Sequence, residues 1–67
     1  MKAYRLLTED DTSEFCHTVT DALAKGWTLY GDPAYGHDAG TGKMRCAQAV
    51  VKDVVGEYSP DMKLGKL

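Results

Sequence analysis

Two cysteines, Cys16 and Cys46, are all that stand in these 67 residues. A secreted miniprotein stapled by disulfides usually carries about four to eight, so the chain reads as reduced and intracellular. No apolar run approaches the roughly 20 residues that cross a bilayer as a helix. The opening MKAYRLLTEDD has no apolar stretch of the signal-peptide kind and turns acidic by Glu9, so no export signal is expected. No sign of charge prevails: the formal net charge is -2, which draws the molecule neither to nucleic acid nor to an anionic membrane. Length is short as well. A chain of this size buries only about 60% of its unfolded surface, giving one domain with a thin core, and such domains often lean on a staple or a partner.

What is present favours folding, since 43% of the residues are hydrophobic. The stretch GWTLYGDPAYG, Gly26 to Gly36, sets one tryptophan and two tyrosines among glycines and a proline, and its role follows from what precedes it. Ala3 to Leu7 has strand composition and ends in a polar cluster. In TEDDTSEF, Asp11 is placed to accept from the free amides of a first helical turn, with Glu14 reaching back to the cap, so a helix starts near Asp11 or Thr12. Phe15, Cys16, Val19, Ala22 and Leu23 then form one apolar stripe over about four turns, opposite His17, Thr18, Asp21 and Lys25. Gly26 ends the helix in a left-handed turn. Trp27 folds back on the last turn as a core residue, and a second strand carries Trp27 and Leu29 on one face, Thr28 and Tyr30 on the other.

Gly31 to Gly42, with four glycines and a proline, reads as a long loop. Lys43 to Lys52 reads as a third strand, with Ala47, Ala49 and Val51 on one side and Cys46, Gln48 and Val50 on the other. The small alanines predict a helix packed close over their side. Past Val55 the pattern is lost, and an irregular tail, 56 to 67, is expected to dock through Tyr58, Met62 and Leu64 onto a domain spanning 1 to 55. The resulting fold class is α+β, in the order β-α-β-β, with a three-stranded sheet of spatial order 1-3-2 backed by one amphipathic helix. The first two strands run parallel through a crossover and the third enters antiparallel between them. One helix covers one face. Cys46, Val50 and Tyr30, with Tyr4 and Leu6, suggest that the other face is partly apolar, to be covered by the tail or by a second copy of the chain.

The segments DTSEFCHTVTDALAKGWTLYGDPAY and KMRCAQAVVKDV, with their DTSEFC-type helix start, GW-x-L-YG junction and late AQA-VVK strand, resemble a small bacterial family, domain of unknown function 1737. The similarity covers about residues 1 to 55. It implies a bacterial, cytoplasmic, stand-alone α/β domain with no catalytic residues assigned.

Site chemistry is sparse. Cys16, His17, His37, Asp38 and Cys46 are competent metal ligands, but they lack the close pairs of zinc sites, and adjacent Cys16 and His17 point about 100° apart around a helix. Neither a metal nor another cofactor is expected. Cys16 near a helix start is the one candidate nucleophile; its place on the apolar stripe reads as core, and no oxyanion motif accompanies it, so the chain is not expected to be an enzyme. GDPAYG and AGTGK lack the Lys-Ser or Lys-Thr and the following helix of a phosphate loop. Lys43, Arg45, Lys52, Lys63 and Lys66 are interleaved with Asp53, Glu57 and Asp61, which argues against nucleic acid as partner. The reading that remains is an interaction or accessory module acting through self-association or a protein partner, with Tyr4, Tyr30, Tyr35 and Gln48 as the candidate surface. The alternative is a small-ligand or nucleic-acid binder using the Gly31 to Gly42 segment.

Overall fold

The first residues to leave the N-terminus form a long strand, β1 (Lys2–Asp10), in a computed structural model that describes residues 1–67. It is followed by α1 (Ser13–Ala24), β2 (Thr28–Asp38) and β3 (Lys43–Asp53), and a single 3₁₀ turn, Leu64–Lys66, lies in the tail. The sheet order is β1-β3-β2, with β3 antiparallel to both neighbours. The α+β arrangement and the strand order expected from the sequence are therefore those of the molecule.

The helix departs from expectation at its start. Thr12 is the N-cap, and no side chain caps the helix. Asp11 is turned away, its carboxylate accepting the Tyr35 hydroxyl and lying 3.7 Å from Cys46 Sγ. The helix is also about three turns rather than four. Its end is as the glycine signal requires. Gly26 has φ +95, the Gly26 amide donates to the Leu23 carbonyl at 3.1 Å, and the Trp27 amide donates to the Ala22 carbonyl at 3.0 Å. This pair of bonds satisfies carbonyls of the last turn and aims Trp27 back beneath the helix.

The core is small: Ala3, Leu7, Ala22, Trp27 and Val50 form it, with Phe15, Val19, Leu64 and Leu67 packed around. Because α1 lies mainly over β1, its Phe15–Val19–Ala22 line points inward, while Cys16 and Leu23 stay exposed. Cys16 is therefore not the core cysteine; Cys46 is. Register assigns the faces. Arg5 pairs with Val50 and Leu7 with Gln48, so the helix covers the Cys46, Gln48 and Val50 side of β3. The expectation that it packs over Ala47, Ala49 and Val51 is reversed. Small residues permit close approach, but the larger Val50 and the Trp27 ring carry more apolar area, and burying area decides which face is covered.

Gly31 to Gly42 is not a loop. Ala34 to Asp38 pair with Ala47 to Lys43, and only residues 39 to 42 turn the chain. The glycine and proline signals are absorbed by a bulge in which Gly31, Asp32 and Pro33 together stand opposite Gln48. Proline is tolerated there because β2 is an edge strand, where a missing N–H breaks no ladder. The turn is held by the Gly42 amide donating to the Asp38 carbonyl at 2.7 Å and by the Gly40 amide donating to Asp38 Oδ1 at 2.9 Å.

The tail docks on the helix side. Leu64 and Leu67 join the core, the Lys52 ammonium donates to the Leu67 oxygen, and Gly65 lies against the Arg5 guanidinium. Tyr58, expected as a docking residue, is exposed.

Candidate interaction face

Three strands alternate their side chains, so one set of residues is left on the side of the sheet away from α1. On β1 these are Tyr4, Leu6 and Thr8; on β3, Ala47, Ala49 and Val51; on β2, Thr28, Tyr30 and Ala34. Pairing sets them in rows: Tyr4 beside Val51 beside Thr28, Leu6 beside Ala49 beside Tyr30, and Thr8 beside Ala47 beside Ala34. The alanines make a low floor along the central strand. Tyr4 and Leu6 rise on one flank, 52% and 55% exposed, and Tyr30 rises on the other at 62%. The helix and the Leu64–Leu67 end of the tail pack on the opposite side.

The ends of the face are charged and internally balanced. Arg45 Nη1 donates to Asp10 Oδ1 at 2.7 Å and Lys43 Nζ lies 3.8 Å from Asp10 Oδ2. The Arg45 hydrogen bond foremost, with the Lys43 charge beside it, holds the Asp10 carboxyl below its ordinary range. At the other end Lys2 stands 3.9 Å from Asp53.

The four residues singled out from the sequence are divided by the fold. Tyr4 and Tyr30 share the open face. Tyr35 lies on the helix side of β2, its hydroxyl donating to Asp11; that bond raises the tyrosine's pKa, with burial and the Asp11 charge adding. Gln48 is only 5% exposed and is withdrawn from any surface. Its amide donates to the carbonyls of Tyr30 at 3.4 Å and Gly31 at 3.3 Å, where the bulge begins, and to that of Ala49 at 2.9 Å. Leu6, placed from the sequence on the uncovered face, lies there, whereas Ala47 and Ala49, expected beneath the helix, were missed as surface residues. Their signal was the two-residue alternation on β1, read together with the burial of Val50.

Asp11, Tyr35 and Cys46 meet below the helix start, but they form no metal site. No three His, Cys, Asp or Glu side chains are grouped so as to hold a metal ion. Cys46 has its pKa raised by burial first and by Asp11 second, which keeps it a thiol. No helix is long and apolar enough to cross a membrane.

The architecture thus defines a small α+β domain with one helix-covered and one bare sheet face. The chain belongs to the family described as Domain of unknown function (DUF1737), whose profile matches residues 1–53. No curated protein and no solved structure matches the chain.

Proposed function

We propose that the domain is a protein-association module that docks another polypeptide through the bare sheet face bearing Tyr4, Leu6, Tyr30 and Ala49. The observation that carries this reading is the contiguity of that apolar face, for monomeric proteins seldom leave patches of more than a few hundred Å² uncovered. The thinness of the core adds to it: seven residues are buried in the whole chain, so further apolar burial on binding has much to contribute. A binding role rather than a catalytic one is favoured by Cys46, whose raised pKa makes a poor nucleophile. Two free thiols, one of them exposed, fit a reducing compartment such as the bacterial cytoplasm. The alternative use of Gly31 to Gly42 as a ligand loop is less favoured, because Gly31 to Asp38 belongs to β2 and Ala34 to Asp38 pair with β3.

The test is photochemical. A benzophenone side chain replacing Tyr30 is expected to crosslink to protein in living cells, whereas the same group replacing Thr20 on the exposed side of α1 is not. Equal yields at the two positions, or none at Tyr30, would sink the reading.

A further inference from the structure

The bare face also indicates what covers it, and this step rests on the association role proposed above. The molecule is elongated, 41 × 24 × 19 Å, with a radius of gyration of 13.3 Å, against about 11 Å for a compact chain of this length. The long β2–β3 hairpin accounts for this, since eleven residues of strand extend about 37 Å. Accessible surface follows shape. The chain exposes 4821 Å², about 620 Å² more than the roughly 4,200 Å² typical of a monomer of 7.3 kDa. That surplus approaches the ~800 Å² which each partner contributes to a stable protein interface.

Charge narrows the partner. Lys2, Lys43 and Arg45 on the bare side are matched by Asp10, Asp38 and Asp53, and each end of the face holds both signs. The apolar middle between them has no charge at all. A nucleic acid would find its phosphates opposed by as many carboxylates as cations, although Tyr4 and Tyr30 are the residue type that stacks on bases. A strongly charged protein would find no counter-field. A surface of mixed ends and neutral middle suits one of the same kind.

Shape points the same way. The face carries a ridge, Tyr30, and beside it a trough, floored by Ala47 and Ala49 and walled by Tyr4 and Leu6. A two-fold rotation sets the ridge of one copy into the trough of the other, the self-complementary pattern that an isologous dimer requires. We infer that the occupant of the bare face is a second copy of this chain, joined face to face as a six-stranded sandwich. The two sheets would lie about 10 Å apart with strands crossing near 30°, as in aligned β-sheet packing.

Sedimentation equilibrium of the full chain, from micromolar to millimolar, tests this together with two variants. Wild type is expected to approach twice 7.3 kDa and to dissociate on dilution. Ala49→Arg puts a charge at the centre of the face, where it is solvated in a monomer but buried in the dimer, and should weaken association by about 100-fold or more. Tyr30→Ser removes the ridge from an exposed edge position and should weaken it too, which guards against a folding defect in the first variant; circular dichroism of both is expected to match wild type. A wild-type monomer at millimolar concentration overturns the inference, as does a dimer that survives both substitutions, since pairing would then use another surface such as the β1 edge. If wild type is a monomer while Tyr30 crosslinks to a different protein, the second copy is refuted and the association role stands. If wild type is a monomer and Tyr30 yields no adduct, both fall.

Discussion

The Lys52 ammonium stands 2.8 Å from the carbonyl oxygen of Lys25 and 5.9 Å from the centre of the Trp27 ring, joining the end of β3 to the end of α1 over the core tryptophan. The same group donates to the Leu67 oxygen, so one cation holds the helix C-terminus and the tail together. A positive charge at that site complements the negative end of the helix dipole. Lys52→Met keeps the apolar stem over Trp27 and removes the donor. It should cost about 1 kcal/mol and make the tail cleave faster in limited proteolysis, with Leu64 and Leu67 less firmly held.

Trp27 itself supplies the largest ring in a core of five residues. Trp27→Ala should cost about 3–5 kcal/mol, a large share of the total stability of so small a domain, and abolish a cooperative urea transition. Trp27→Phe should retain that transition at a lower midpoint.

Gly26, at φ +95, lies where a side chain is strained, although the space for a Cβ is adequate, with Lys52 Cε 3.5 Å away. Gly26→Ala is therefore expected to lose about 1–2 kcal/mol for conformational reasons. Gly36→Ala, in extended backbone with nothing within 4 Å of the new Cβ, should instead gain about 0.5 kcal/mol. Urea denaturation of both variants gives the comparison.

Asp10 governs the acid side. Its carboxyl loses its proton at lower pH in the folded chain than in the unfolded one, chiefly through the Arg45 hydrogen bond. The stabilisation is thus complete above about pH 4, the unfolded value, and fades as pH falls through the folded value. Asp10→Asn should flatten the decline of melting temperature with acid.

Tyr35 governs the alkaline side with the opposite sign. Its pKa is raised by the bond to Asp11, so its contribution is full below about pH 10, the unfolded value, and is lost as pH rises through the folded value. Ultraviolet titration should show a late-ionising component in the wild type, absent in Tyr35→Phe and returned toward the ordinary range in Asp11→Asn.

The interaction face was half legible. Tyr4 and Tyr30 could be placed on the open side from strand alternation alone, but β3 alternates two apolar sets, Ala47–Ala49–Val51 and Cys46–Gln48–Val50. Periodicity places each set on its own face without saying which face the helix takes. Gln48 looked like a contact residue because a polar side chain in a strand is usually solvated; here it is buried and donates to the Tyr30 and Gly31 carbonyls at the bulge opposite it. The bulge in turn explains why Gly31 to Gly42 resembled a loop. Glycine and proline mark irregular backbone, and an irregularity inside a strand uses the same residues as one between strands.

The sequence by itself determined the elements that depend on near neighbours: a helix closed by Gly26, a tryptophan turned back beneath it, and three strands whose crossover order admits 1-3-2. Those are set by local dihedral preference and short-range hydrogen bonding, which are readable residue by residue. Only the tertiary structure decided where Asp11 spends its carboxylate, that Cys46 rather than Cys16 is buried, and that the tail sits on the helix side and leaves Tyr4, Leu6 and Tyr30 bare. These outcomes are competitions among distant groups for the same surface, and their result follows from which pairing buries the most area with every polar group satisfied.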